Sequence, residues 1–404
     1  MQLSEELQWR GFYNQMTFSD ISEINEPRKF YIGIDPSADS MQIGNLAAVM
    51  MCRLFIDYGY EAYLLVGGAT GLIGDPDGKK SERAIRNTDD VVRNKQKIIA
   101  QYQSLFENRQ FQIVDNQDWF EDINYIEFLH KIGKHVSMTQ MLDREFVKAR
   151  IGEGGSGISY AEFSYSLIQG YDFLHLFREH DVTLQLCGAD QWGNSTTGVS
   201  LIRKLESAEA HVYSLPLVIN KTTGQKFGKS EGGAVWLDET KTSVYQFYQF
   251  WLNVDDEGVI DYMKIYTALD KTTIEAIAEN HQANPGARSA QKTLAREVTD
   301  IVHGAQRRES VERVTSVLFG DGDIGSLNQQ DIELISKEIP TFSASVELVS
   351  VLVDSQIAQS RGEAKRLVNS GAVSVDGVKQ MEDMILSGRH IVKKGKNNFI
   401  LIME

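Results

Sequence analysis

Phe30-Tyr31-Ile32-Gly33-Ile34, followed by Asp35-Pro36-Ser37-Ala38-Asp39-Ser40, is the stretch that decides the fold. A short apolar run that ends in a turn-rich loop reads as a buried strand. Apolar residues then recur at helical spacing from about Gln42 to Tyr58, which predicts a long helix. Ala62 to Val66 is a second buried strand, and it runs into Gly67-Gly68-Ala69-Thr70-Gly71-Leu72-Ile73-Gly74-Asp75, a glycine-bearing loop. Strand, loop, helix, strand is the rhythm of parallel α/β units. Phe111 to Val114 and Leu184 to Cys187 supply further strands, and Tyr213 to Asn220 closes this first domain.

Beyond it the pattern changes. From about Glu239 to Gly304 the chain offers helices without strand candidates, with Ala290 to His303 the most regular of them. The polar stretch from Gly320 to Asp331 reads as a linker or long loop. Near the end, a helix from Arg361 to Asn369 meets Gly371, then a hairpin whose turn holds Asp376-Gly377. The expected divisions are residues 1–233, 234–322, a linker at 323–340, and 341–404.

The composition excludes several classes. A chain of 404 residues can bury at least one sizeable core. No apolar run reaches the length of about 18 residues that suggests a membrane span. The first residues, Met1 to Asn14, mix Glu5, Glu6 and Arg10 with apolar side chains and lack the pattern of a secretory signal. Two cysteines, Cys52 and Cys187, cannot build a disulfide framework and have no zinc-site spacing, so a reducing cytoplasm is expected. The net charge of −15 argues against wholesale coating of nucleic acid but permits a local basic surface.

Several stretches could carry chemistry, and each has a plain alternative. Gln42-Ile43-Gly44-Asn45 opens a helix in an α/β unit, where backbone N–H groups face anions. Gly44 permits close approach and both amides can donate, although a polar helix start looks the same. Lys226-Phe227-Gly228-Lys229-Ser230 lies among glycines in what reads as an exposed loop. Its lysines suit a polyphosphate whose charge grows during reaction; a lone motif of this kind is usually just a solvated loop. Gly74 to Ser81 imitates a phosphate-binding loop, but its glycine spacing is one residue short and Pro76 interrupts it. Asp190-Gln191-Trp192-Gly193-Asn194 follows a strand at the edge where α/β ligands bind. Tyr165, Gln169 and Asp172 share one helical face, and apolar neighbours suggest that this polar stripe is buried and needs partners.

Taken together, in this order, these blocks resemble the bacterial-type tyrosyl-tRNA synthetases, which belong to the class I aminoacyl-tRNA synthetases. The tail resembles an S4-type RNA-binding domain. The resemblance covers the whole chain, and Asp-Gln-Trp-Gly-Asn with the Lys-Phe-Gly-Lys-Ser loop is its most specific part. It implies a Rossmann-like parallel-sheet α/β catalytic domain, an α-helical anticodon-binding domain and an S4-like α+β RNA-binding domain. It further implies a cytoplasmic homodimer that takes L-tyrosine, ATP with Mg²⁺ and tRNA(Tyr), with no zinc and no protein metal site.

Carried over by motif, Tyr31 and Asp172 would meet the phenolic hydroxyl of tyrosine. Tyr165, Gln169 and Asp75 would hold its α-amino group. Gly33, Asp35, Gly44, Asp190 and Gln191 would line the adenylate. Lys226, Lys229 and Ser230 would bind the pyrophosphate portion of ATP, helped by Lys79 and Arg83. On the tail, Arg361, Lys365 and Arg366 would contact tRNA, with Lys393, Lys394 and Lys396 adding charge; without the resemblance they read as a solvated face.

The sequence departs from the family at one place. The first signature is usually His-Ile-Gly-His; here Gln42 and Asn45 stand where the histidines would. Both replacements are neutral donors, so the expected cost is on the order of 1 kcal/mol, or several-fold in rate. Two rival readings follow, a weakened paralogue that senses RNA or tyrosine and an enzyme that makes tyrosyl-adenylate for another acceptor. The intact lysine loop and tyrosine pocket disfavour the first; the complete tail disfavours the second.

Overall fold

The computed structural model describes residues 1–76, 87–152, 154–230, 233–320 and 322–403. It divides into two compact units, Met1–Thr242 with Trp251–Val298, and Ser243–Phe250 with Thr299–Glu404.

The first unit is built on a six-stranded sheet. Its strands are β1 (Gln15–Met16), β2 (Lys29–Ile34), β3 (Glu61–Val66), β4 (Phe111–Asp115), β5 (Leu184–Gly188) and β6 (His211–Leu215). They lie in the order β1-β6-β5-β2-β3-β4, all parallel except β1 against β6. Strand β3 is buried from Ala62 to Val66, as expected of a strand covered on both faces. The chain lays β3 and β4 to one side of β2, then returns to lay β5 and β6 on the other. The direction of winding therefore reverses between β2 and β5, and a crevice opens at their carboxyl ends.

The main helices of this unit are α1 (Ile43–Asp57), α2 (Gly68–Ile73), α3 (Thr88–Leu105), α4 (Tyr160–His180) and α5 (Trp192–Glu206). Helix α1 buries Ile43, Leu46, Ala47, Met50, Met51 and Phe55, the recurrence seen in its sequence. Helices α4 and α5 cross so closely that a Cβ on Gly198 would stand 2.6 Å from the Phe173 Cβ. Nothing larger than glycine fits there.

Two local expectations are revised. Residues 68–73 form α2 and are not loop, because Asp115 and Asn116, far along the chain, accept hydrogen bonds from the Gly68 and Ala69 N–H groups. Within Lys226–Ser230, Phe227 and Gly228 are buried, where the glycines suggested an exposed loop. Phe227 is buried, its ring stacked 4.2 Å from Tyr262 and tilted 5.7 Å from Trp251. The following helical segments supply that aromatic bed, so the loop is anchored at its centre.

In the second unit, Val378–Lys379, Val373–Val375, His390–Lys394 and Asn398–Met403 pair antiparallel in that order. Thr341–Ser343 adds parallel to the last of them. The strand Asn398–Met403 feeds both faces with its period of two. Ile400 and Ile402 pack with Leu348, Val351, Ala364 and Val368, whereas Phe399 and Leu401 pack with Val314, Leu318, Ile332 and Ile335. The segment read as a linker is accordingly folded. It holds the turn Ile324–Ser326 and the helix Gln329–Ser336, with Ile324, Leu327, Ile332 and Ile335 buried. Its few apolar residues fall on one side, a pattern hidden by the polar residues around them. The expected helix Arg361–Asn369 and the hairpin at Asp376-Gly377 are both present.

Candidate active site

A cleft of about 380 Å³ opens at the carboxyl ends of β2 and β5. It gathers Tyr31, Gly33, Asp35, Gln42, Gly44, Asn45, Asp75, Tyr165, Gln169, Asp172, Asp190, Gln191 and Lys226 from five separated stretches of chain. Three groups of contacts organise it.

The floor is deep and carries buried polar groups. Tyr31 projects from β2 with its ring 5.2 Å from Phe173. Its hydroxyl has no hydrogen-bond partner among the described residues. Burial, then the nearby Asp172 and Cys187, push the phenol well above its usual range, so it is a neutral O–H. Asp172 faces it from α4, where the carboxylate is clamped from both sides. Asn116 Nδ2 donates to one oxygen at 3.1 Å and Trp119 Nε1 to the other at 3.0 Å. Burial raises the Asp172 carboxyl well above the usual carboxylate range, and these two donors pull against that rise. The floor thus offers a hydroxyl and a carboxyl group with unfilled hydrogen-bonding capacity, both almost fully buried.

Along one wall runs the face of α4 read from the sequence. Tyr165 donates to Asp35 Oδ2 at 2.8 Å, and Gln169 Oε1 is buried with no partner among the described residues. In the same cleft, Gln191 Nε2 donates to Asp75 Oδ2. Two carboxylates and an orphaned carbonyl oxygen lining one cleft can accept hydrogen bonds from a cationic amine.

The mouth is where α1 begins. Asn45 Oδ1 accepts from the Gln42 backbone N–H at 2.9 Å, which leaves the Asn45 amide N–H groups to donate elsewhere. The chain after the lysine loop is laced onto this helix start. Ile43 N–H donates to the Val235 carbonyl, Leu237 N–H to the Met41 carbonyl, and Val235 N–H to the Gly228 carbonyl. Gly228, at φ +96°, lies so close that a Cβ would stand 3.4 Å from Ile43 Cβ. Lys226 reaches toward Asp190, Nζ to Oδ2 at 4.0 Å. Lys229 and Ser230 form a two-residue strand paired with Gly233–Ala234, and their side chains lie outside the described part of the structure. Lys79 and Arg83 lie outside the described residues altogether.

Two residues that hold the floor were missed in the sequence. Asn116 and Trp119 are unremarkable by type and belong to no motif, yet they set the Asp172 carboxylate. The available signal was that Asn116 directly follows β4, at the strand edge where α/β ligand sites form. In the second unit, Arg361 is engaged by Glu347 at 2.7 Å and Ser350 at 2.9 Å, whereas Lys365 and Arg366 are exposed on the same helix. Lys393 donates to the Leu318 carbonyl and lies over the Phe399 ring, so it serves the fold.

Comparison with known proteins bears on this geometry. Residues 23–320 match the family described as tRNA synthetases class I (W and Y). Residues 331–402 match the SYY-like C-terminal domain of tyrosine–tRNA ligases. Tyrosine–tRNA ligase 2 of Bacillus cereus (strain ATCC 14579) is 44% identical over 421 residues, covering 100% of this chain and 99% of the relative. Tyrosine–tRNA ligase 1 of Bacillus subtilis (strain 168) is 41% identical over 420 residues, with 99% of each covered. Among solved structures, a C-terminally truncated mitochondrial tyrosyl-tRNA synthetase of Aspergillus nidulans aligns with a TM-score of 0.71 at 26% identity. That alignment covers 79% of this chain and 94% of the other. This chain therefore belongs to the class I tyrosyl-tRNA synthetases, the tyrosine–tRNA ligases.

Proposed function

We propose that the cleft joins L-tyrosine to ATP, releasing pyrophosphate, and that the resulting tyrosyl-adenylate is passed to the 3'-terminal ribose of tRNA(Tyr). The observation that carries this reading is the floor. Tyr31 and Asp172, buried and with capacity to spare, match a phenolic hydroxyl and reject a ring that lacks one, because their polar groups would then be stranded. Asp75, Gln169 and Tyr165 receive the α-amino group. Gly33 and Gly44 let the nucleotide lie against the backbone, and Asp35, Asp190 and Gln191 line the adenylate.

No protein nucleophile is needed. The tyrosine carboxylate attacks the α-phosphorus and pyrophosphate leaves; in the second step a ribose hydroxyl attacks the adenylate carbonyl and AMP leaves. Rate then comes from alignment and from donors placed where phosphate charge develops. Gln42 and Asn45 at the start of α1, together with Lys226, Lys229 and Ser230, take that role, joined by Lys79 and Arg83. Mg²⁺ enters as part of the ATP substrate, held mainly by the phosphates.

The helical stretch 234–322 is assigned to the anticodon and 341–404 to a further tRNA contact. In the tail, Lys365 and Arg366 are stronger candidates than Arg361, whose guanidinium already has a carboxylate partner. Such phosphate contacts make affinity fall steeply with salt. Dimerisation is proposed through the segment 125–160, which exposes Tyr125, Ile126, Met138, Leu142, Ile151 and Tyr160. The free, buried Cys52 and Cys187 suit a cytoplasmic setting.

Tyrosine-dependent ATP–pyrophosphate exchange, followed by charging of tRNA(Tyr), tests the reading. Both reactions are expected. Absence of exchange would leave a sensor, and exchange without charging would point to another acceptor.

A further inference from the structure

Arg144 belongs to no signature and lines no part of the cleft, yet it begins a chain of hydrogen bonds that ends inside it. It sits between the short helices Met138–Leu142 and Glu145–Ile151. Its guanidinium grips the first turns of α5. Nη1 donates to Asn194 Oδ1 at 2.6 Å, and Nη2 donates to the Gly193 carbonyl at 2.7 Å and to Thr197 Oγ1 at 2.8 Å. Asn194 Nδ2 donates in turn to Gln191 Oε1 at 3.3 Å, and Gln191 Nε2 donates to Asp75 Oδ2.

The polarity of this chain is locked at both ends. A guanidinium only donates and a carboxylate only accepts. Arg144 therefore requires the Asn194 oxygen to face it, which turns the Asn194 N–H₂ toward Gln191. That fixes the Gln191 oxygen toward Asn194 and its N–H₂ toward Asp75. If either amide were flipped, two oxygens or two N–H groups would face each other somewhere along the line. Asp75 and Gln191 both line the cleft.

We infer that Arg144 is a positioning residue for the amino-acid substrate: acting through Asn194 and Gln191, it sets the Asp75 carboxylate that receives the α-amino group. The inference rests on the assignment of Asp75 to that group. Its consequence is selective. Loss of Arg144 should harm ligands that carry the amine and spare those that lack it, because the floor around Tyr31 and Asp172 is held by Asn116 and Trp119 and not by this chain.

The test is direct binding to the full-length protein of L-tyrosine and of 3-(4-hydroxyphenyl)propionate, which has no amino group. Arg144→Met should weaken tyrosine about tenfold while leaving the deaminated ligand within about twofold. Arg144→Lys, which keeps the charge but loses the fork, should fall between the two. Asn194→Ala should reproduce the effect of Arg144→Met, and the double variant should be no worse than either alone. Equal weakening of both ligands, or of neither, would overturn the inference. Asp75→Asn separates the two levels. If it spares tyrosine, the assignment of Asp75 is wrong; if it weakens tyrosine alone while Arg144→Met does nothing, only the relay is wrong. Thermal melting of each variant shows that a folded protein is being measured.

Discussion

Replacing Tyr31 with phenylalanine removes one oxygen from the floor of the cleft, and the two consequences separate cleanly. The hydroxyl is buried and has no partner among the described residues, so the empty protein gains nothing from it. An unsatisfied buried hydroxyl costs roughly 1–3 kcal/mol, so Tyr31→Phe should melt at the wild-type temperature or above it. With tyrosine bound, the same hydroxyl has a partner. Loss of one neutral hydrogen bond is worth about 0.5–1.5 kcal/mol, or about 2- to 13-fold in kcat/KM. Phenylalanine makes no such bond and should be activated as well as before, so the tyrosine-to-phenylalanine ratio should fall by that factor. Asp172 should retain most of the discrimination, since Asn116 and Trp119 still hold its carboxyl beside the phenol. The general figure of about 10⁴–10⁵ for sites of this kind includes enzymes of this same family, so it is no independent forecast here. The assay is ATP–pyrophosphate exchange with each amino acid at saturating ATP, beside a melting curve. An unchanged ratio, or a marked loss of stability, would refute the assignment of this hydroxyl to the substrate.

Other outcomes follow from the same geometry. Trp119→Phe removes a donor from Asp172 and with it part of the pull against burial. The carboxyl should rise further, and tyrosine activation should fall about tenfold with ATP affinity unchanged, the loss deepening as pH drops; an effect on ATP alone would contradict this. Gln42→His should change the activation rate by no more than several-fold and leave tyrosine binding as it was. A large change in tyrosine affinity, measured by equilibrium binding, would mean that the start of α1 has been given the wrong role. Gly198→Ala forces a methyl group against Phe173 and should cost about 1–3 kcal/mol, read from denaturant unfolding. In the second unit, burial alone would lower the His390 imidazole, but Asp376 at 2.6 Å and the Ser387 carbonyl at 2.9 Å raise it. A raised imidazole stabilises fully below its unfolded value and loses that contribution as pH climbs through the folded one. His390→Gln should therefore destabilise most below about pH 6 and least above about pH 9, and a constant difference across that range would exclude the pair as its cause.

How much of this could be read in the chain depends on the range of the interactions. Periodicity located β2, α1, β3, β4, β5 and the helix Arg361–Asn369, because burial on one or two faces writes itself locally. The stripe of Tyr165, Gln169 and Asp172 was equally plain, since spacing of four and three along a helix guarantees a shared face. Helix α2 was hidden, because its cap comes from Asp115 and Asn116, 47 residues further along the chain. The folding of 324–336 was hidden as well, because its four buried apolar residues need the sheet of Phe399 and Leu401 to make a core.

The types of residue able to meet a phenol, an amine and a phosphate are properties of the chain itself, and they were visible there with their order and spacing. Which of them stand together was decided by the reversal of winding between β2 and β5, which opens one crevice where five distant stretches end. The state of each was decided there too. Asp172 is an ordinary carboxylate in the sequence; in the fold, burial raises its carboxyl while Asn116 and Trp119 donate to it. Arg144 is an ordinary arginine until α5 brings three acceptors within its reach. Side-chain chemistry is local, but desolvation and hydrogen-bond partners come from residues that only the packed fold brings near.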